Sequence, residues 1–219
     1  MKCASSHSIS RTTNILEFSK ELTINEKALG VAMQDFLKAL EEVKPQFGVD
    51  EQKFGVYARG GVINYGPTYD RVMNTLQETA TMGDRVAGEK RSVLLYGPAG
   101  SGKTTLAMAF ARHTVFSYLK IISAEELVGM PEPQRIHKIN KIFEDAYKTS
   151  NACILIDDLE RVVGYSPIGR RFNNAMLQAL LLLLERNPPN DKCRLLLIAT
   201  TSCHYHMRQL ELPQRFDIK

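Results

Sequence analysis

The chain has 219 residues, 44% of them apolar, which is enough for a buried core in one large or two small domains. Its net charge is +4, and no Lys/Arg block is interleaved with stacking aromatics, which argues against a nucleic-acid partner. The longest apolar run, 179–184, is far shorter than the roughly 18 residues of a membrane-spanning helix, and the polar first residues argue against secretion.

The first two segments lack the pattern of a sheet. Residues 4–47 are helical in character, with an apolar face formed by Ala32, Phe36, Leu37 and Leu40, and we assign 1–48 to a short helical segment. Residues 49–91 mix glycine with polar residues and form a linker to the core. Within it, one apolar side predicts a helix from about Thr68 to Ala80, formed by Tyr69, Val72, Met73 and Leu76.

From residue 92 onward, apolar strands alternate with helical patterns. The predicted strands are 92–96, 117–122, 152–156 and 194–199, and the predicted helices are about 103–113, 133–149 and 171–186. This alternation predicts an α/β domain, 92–219, with a parallel sheet and crossover helices. Ligands of such sheets bind at the carboxyl ends of the strands.

A glycine-rich loop follows the first of these strands. Residues 97–104 match G-x-x-x-x-G-K-S/T and lead directly into a predicted helix, the context that a phosphate-binding loop requires. In that role Lys103 contacts the β- and γ-phosphates of a nucleotide and the Thr104 hydroxyl contacts Mg²⁺. The alternative is a chance match in a glycine-rich turn, which the flanking strand and helix disfavour.

Polar residues end two later strands. Asp157 and Asp158 follow the apolar run 153–156, where the first acid suits Mg²⁺ and the second suits an attacking water; the alternative is a pair of acids that begins a helix. Ser202 follows the last strand and is a candidate to sense the γ-phosphate, or it belongs to an ordinary strand-end turn. His204 and His206 lie two positions apart on a predicted loop, which is more typical of surface histidines than of a metal site.

The loop 97–104, the Asp157-Asp158 element and the strand ending in Thr200-Thr201-Ser202 resemble the AAA ATPases. Within that family, the segments 142–148, 157–161 and 167–172 resemble the second ATPase domain of the vesicle-fusing members, and residues 4–47 resemble the end of their first ATPase domain. The resemblance implies a P-loop NTPase fold of AAA+ type, a three-layer sandwich around a parallel sheet. Because the chain ends where a fifth strand is expected to begin, we expect that strand and the helical lid to be truncated.

The resemblance also implies function. It implies a homo-hexameric ring in the cytoplasm, peripherally associated with Golgi and vesicle membranes, which uses ATP and Mg²⁺ to separate SNARE complexes through SNAP adaptors. The second domain binds ATP mainly to hold the ring together. The implied adenine contacts are Gly61, Val62, Ile63 and Tyr65. The implied phosphate and magnesium contacts are Pro98, Ala99, Gly100, Ser101, Gly102, Lys103, Thr104, Thr105 and Leu106, with Asp157 as a further metal ligand.

Several residues depart from the pattern of vigorous AAA enzymes. Asp158 stands where a longer Glu is usual, Ser202 where Asn is usual, and Leu127-Val128-Gly129 lacks the aromatic residue of a pore loop. These departures predict slow hydrolysis. Arg215 argues the other way, because Gln214-Arg215-Phe216-Asp217 resembles the segment that carries an arginine finger for a neighbouring subunit; the alternative is a surface arginine.

Two other functions remain open on the residues alone. One is a fully active AAA+ ATPase of another pathway, such as DNA clamp loading, with ATPase activity that DNA stimulates. The other is a nucleotide-binding scaffold that forms hexamers with ATP and releases no phosphate.

Overall fold

The computed structural model describes residues 33–35, 37, 54–55, 62–64, 66–82, 88–166, 168–169, 171–189 and 191–219. The chain divides into two compact units, Met1–Gln46 and Phe47–Lys219. The described residues of the first unit are helical and exposed. Three members of its predicted apolar face, Ala32, Phe36 and Leu40, lie outside the described residues, and the fourth, Leu37, is 52% exposed.

The second unit is built on a parallel sheet. Its strands are β1 (Lys90–Tyr96), β2 (Tyr118–Ile122), β3 (Asn151–Ile156) and β4 (Arg194–Thr201), in the order β1-β4-β3-β2. Its helices are α1 (Pro67–Met82), α2 (Lys103–His113), α3 (Glu132–Tyr147), α4 (Leu159–Val162), α5 (Asn174–Glu185) and α6 (His204–Gln209), with 3₁₀ turns at Glu125–Leu127 and Pro213–Arg215.

Apolar side chains cover both faces of the sheet. On one face, Ile154 and Ile156 of β3 belong to a core cluster with Phe143 of α3 and Leu180 of α5. On the other face, Cys153 and Leu155 belong to a cluster with Leu76 of α1 and Phe110 of α2. The predicted three-layer α/β fold with a parallel sheet is therefore confirmed, and β3 is buried on both faces as its continuous apolar sequence indicates. No helix in the described part of the chain is long and apolar enough to cross a membrane.

The largest difference in element bounds is at the start of α5. The predicted helix begins at 171, but the observed one begins at Asn174 because the Asn173 side chain caps it, with Met176 N–H donating to Asn173 Oδ1 at 2.8 Å. The apolar run 179–184 within this helix is only partly buried, since Leu182 is 66% exposed.

The last residues of the chain lie along β1. Leu94 N–H donates to Ile218 O at 2.9 Å, and Ile218 N–H donates to Ser92 O at 3.1 Å. The Asp217 carboxylate accepts hydrogen bonds from both the N–H and the hydroxyl of Ser92, at 2.8 and 2.7 Å. Residues 217–219 thus occupy the position beside β1 where the fifth strand is expected to begin.

Candidate nucleotide-binding site

The glycine-rich loop connects β1 to α2 at the carboxyl end of the sheet. Gly100 and Gly102 have φ angles of 78° and 82°, a left-handed conformation that glycine adopts without steric cost. The α2 helix begins immediately after them, so its free N–H groups and positive end face the loop. Lys103 Nζ donates to Pro98 O at 2.7 Å and lies 3.4 Å from Ser101 Oγ, so its charge is held over the same loop.

Asp157 joins three elements of the site. Its Oδ1 accepts hydrogen bonds from the hydroxyls of Thr104 on α2, at 2.7 Å, and Thr200 on β4, at 2.8 Å. Asp157 is only 9% exposed and Thr200 is fully buried. The predicted metal-binding pair, Thr104 and Asp157, therefore lies within hydrogen-bond distance. Hydroxyl and carboxylate oxygens are the ligands that Mg²⁺ prefers, so these residues fit the metal of a magnesium nucleotide.

Asp158 has a strained backbone and an unfavourable electrostatic environment. Its φ of 49° is left-handed, and its N–H donates to Thr200 Oγ1 at 3.0 Å. Arg161 Nε lies 3.3 Å from Asp158 Oδ2. Burial raises the pKa of Asp158, and the charges of Asp157 and Glu160 raise it further, against the opposing charges of Arg161 and Lys103. At neutral pH an ionised Asp158 therefore destabilises the fold.

Replacing Asp158 with asparagine is expected to raise Tm at pH 7, in the absence of nucleotide, by about 1–2 °C, corresponding to roughly 0.5 kcal/mol after allowance for solvent screening. Asparagine removes the like-charge repulsion and tolerates the left-handed backbone. Because the pKa of Asp158 is raised on folding, wild type loses stability as pH rises through the folded pKa. The gain should therefore shrink as pH falls toward the ordinary value of 3.8.

Thermal melts at several pH values test this expectation. The same substitution at the exposed Asp191 is the control and should give no increase in Tm. An unchanged or lower Tm for Asp158→Asn at pH 7 would contradict the electrostatic account.

A cavity of about 430 Å³ is lined by three of the five predicted catalytic residues. Its lining includes Lys103 and Thr104 of α2, Asp158, and Ser202 at the end of β4. Glu160 and Arg161 also line it, although the sequence analysis assigned them no role. Their sequence signal is their place in the segment 157–161, two and three positions after Asp158. The structure therefore brings together eight predicted site residues, adding a second acid and an arginine to Ala99, Gly100, Gly102, Lys103, Thr104, Thr105, Asp158 and Ser202.

A second cavity, of about 440 Å³, lies on the other side of the loop. Pro98, Lys103 and Leu106 line it together with Tyr69 and Val72 of α1, and this largely apolar lining suits an adenine ring. Neither Val62 nor Ile63 is among its lining residues, and Ile63 is 62% exposed. Gly61 and Tyr65 lie outside the described residues, so the adenine role of this segment stays a prediction. The helical periodicity of α1 was the available signal for Tyr69 and Val72.

The remaining candidates lie apart from these cavities. Arg215 pairs with Glu185 of α5 and lies 3.7 Å from Glu211, so its guanidinium does not reach the site of its own chain. The prediction that the two histidines lie on a loop is wrong. Both belong to α6, where the ring of His204 stacks on Tyr96 with centroids 4.3 Å apart and His206 packs against Tyr165 at 5.1 Å.

Comparisons with known proteins identify relatives of this chain. The vesicle-fusing ATPase of Dictyostelium discoideum is 40% identical over 219 residues, which cover 99% of this chain and 29% of that protein. The vesicular-fusion protein SEC18 of Saccharomyces cerevisiae is 39% identical over 222 residues, again 99% of this chain and 29% of the relative. Proteasome-activating nucleotidase 1 of Haloferax volcanii is 31% identical over 128 residues, or 57% of this chain and 31% of that protein. The chain thus spans less than a third of the length of these relatives.

A family model described as ATPase family associated with various cellular activities (AAA) matches residues 93–219. The matched region covers more than half of the chain and contains the glycine-rich loop, the two aspartates and both strand ends that meet them. This chain therefore belongs to the AAA family of ATPases.

Proposed function

We propose that this chain is an ATP-binding AAA domain of a homo-hexameric vesicle-fusing ATPase that disassembles SNARE complexes after membrane fusion. The names of the relatives that match nearly the whole chain support this proposal. Residues 1–48 then end an upstream AAA lid, 49–91 form the adenine-contacting segment and linker, and 92–219 form the ATPase core. The whole protein acts with SNAP adaptors, in the cytoplasm and peripherally on Golgi and vesicle membranes.

The observation that carries the ATP site is the pair of hydrogen bonds that Asp157 Oδ1 accepts from Thr104 and Thr200. In the proposed complex, loop N–H groups and Lys103 bind the phosphates, and Thr104 and Asp157 hold Mg²⁺. Bound Mg²⁺ offsets the charge on the phosphate oxygens. Asp158 orients the attacking water, and Ser202 senses the γ-phosphate.

Weak hydrolysis is part of the proposal because Asp158 is poorly suited to hold a water. Its side chain is one methylene shorter than glutamate, and one of its oxygens, Oδ2, already lies 3.3 Å from Arg161 Nε. We infer that the domain binds Mg-ATP mainly for hexamer assembly. Arg215 is the proposed contact to a neighbour's γ-phosphate, and its side chain, 34% exposed beside Glu185, lies where a neighbouring subunit has access to it.

Parallel measurement of ATP binding, phosphate release and oligomer mass tests the proposal. For the chain extended through the expected fifth strand and helical lid, we expect ATP-dependent hexamers and turnover slower than about 0.1 s⁻¹, well below the 1–10³ s⁻¹ typical of enzymes. Brisk turnover that Arg215→Ala abolishes would contradict the assembly role and make the domain a motor. Glu185→Gln is the matched control, because it breaks the same ion pair and keeps the guanidinium.

Two further outcomes would each support one of the two alternative functions. Stimulation of the ATPase by DNA would place it in another pathway. Hexamers with ATP but no detectable phosphate release would indicate a scaffold without turnover.

A further inference from the structure

Glu160 is a buried carboxylate with a specific set of partners. It is 8% exposed and lies in the first turn of α4. Its Oε2 accepts a hydrogen bond from the Thr201 hydroxyl at 2.7 Å, and its Oε1 accepts one from Ser202 N–H at 3.0 Å. Burying a carboxylate is costly unless its oxygens are hydrogen-bonded. Both bonds go to adjacent residues at the end of β4, so Glu160 ties α4 to that strand end.

The two threonines at the end of β4 donate hydrogen bonds to different acids. The Thr200 hydroxyl donates to Asp157, at the proposed metal site, whereas the Thr201 hydroxyl donates to Glu160. Thr201 Oγ1 also accepts the N–H of Cys203 at 3.1 Å. The Glu160 carboxylate therefore fixes both the hydroxyl of Thr201 and the backbone of Ser202, where the chain turns from β4 toward α6.

This turn sets the place of the Ser202 side chain. Ser202 and Glu160 line the same cavity as Lys103, Thr104 and Asp158. The Ser202 hydroxyl is one rotatable bond away from the backbone, so the backbone position limits it to three staggered positions. Loss of the bond from Ser202 N–H to Glu160 frees the backbone and allows the hydroxyl to move relative to the phosphate site.

We propose that Glu160 is a positioning residue that holds the turn at Thr201 and Ser202 so that the Ser202 hydroxyl faces the γ-phosphate and the site distinguishes ATP from ADP. The inference rests on the proposed function, since it requires a nucleotide in the loop 97–104. It gives the third acid of the 157–160 segment a role distinct from those of Asp157 and Asp158. A purely structural Glu160 would change stability and leave the ratio of ATP to ADP affinity unchanged.

Isothermal titration of the purified protein with ATP and with ADP, both with Mg²⁺, tests the inference. Glu160→Ala is expected to lower ATP affinity relative to ADP affinity by about tenfold, the equivalent of one hydrogen bond to a charged phosphate. Ser202→Ala should give a similar loss. The double variant should be no worse than either single variant within about threefold, because Glu160 acts through Ser202. Glu160→Gln should keep most of the preference, since its amide oxygen accepts from Ser202 N–H.

Several results of these titrations would contradict the inference. Equal weakening of ATP and ADP by Glu160→Ala, or an unchanged ratio in Ser202→Ala, would overturn the inference. Glu144→Ala, the same change on the exposed side of α3, is the control and should leave the ratio unchanged. If Glu160→Ala does not fold, Thr201→Val removes one of the two bonds and should lower the ratio about threefold, and an unchanged ratio there overturns the inference too. If wild type binds neither nucleotide, or if Lys103→Ala binds both nucleotides as tightly as wild type does, the proposed function itself fails.

Discussion

Replacing Lys103 with alanine is expected to weaken ATP binding by about 100-fold, the equivalent of about 3 kcal/mol, because it removes charge-assisted hydrogen bonds to the phosphates. The chain should remain folded. In the structure the Lys103 amine contacts Pro98 O and Ser101 Oγ, and both of these partners belong to its own loop. The expected change in Tm is within about 2 °C, as for most substitutions outside a core.

Titration of each variant with Mg-ATP measures the loss of binding, and a thermal melt of each variant measures any loss of stability. Lys141→Ala is the matched control, because Lys141 is an exposed lysine on α3 and lines neither cavity. Its ATP affinity should equal that of wild type. Undiminished ATP binding by Lys103→Ala would place the nucleotide somewhere other than the loop 97–104, and a large loss of Tm would show that the lysine supports the fold.

The loop and its flanking elements were predictable from sequence because their signals are local. The observed bounds of α2, Lys103–His113, coincide with the predicted helix, since the glycines before it define where the left-handed turn ends. The apolar run before Asp157 likewise indicated a strand buried on both faces. Because carboxyl ends of parallel strands meet at one edge, Lys103, Asp157 and Ser202 were expected to converge, and they line or border one cavity.

The contacts that hold these residues in place were not predictable in the same way. Glu160 and Thr201 are 41 positions apart, and nothing local distinguishes their pairing from an acid at a helix start and a turn hydroxyl. The six-residue helix α6 is too short to give a periodic signal, so His204 was expected on a loop. Tyr69 and Val72 of α1 line the apolar cavity beside the loop because packing against the sheet selects that helix face, and the sequence analysis gave them no role in the site. The adenine role of Gly61, Val62, Ile63 and Tyr65 stays a prediction.

The segment around Arg215 shows how a functional resemblance and a structural role coincide. The sequence analysis named Arg215 as a functional candidate, but the two residues that follow it are the ones that stabilise the fold. Phe216 is 3% exposed in the core cluster, and the Asp217 carboxylate binds Ser92 of β1. Arg215 precedes two anchored residues, and its side chain is 34% exposed and paired with Glu185. Its contact to a second subunit stays a prediction.

Replacing Phe216 with alanine is accordingly expected to destabilise the fold by about 3–5 kcal/mol, the usual cost of deleting a buried aromatic side chain. For a chain of this size that corresponds to a fall in Tm of about 8–15 °C. Thermal unfolding measures it, with Tyr205→Ala as the control, because Tyr205 is 70% exposed and its loss should change Tm by no more than about 2 °C. A fall for Phe216→Ala as small as that for Tyr205→Ala would mean that the tail is not anchored in the core. Arg215 would then have no fixed position from which to reach a neighbouring subunit.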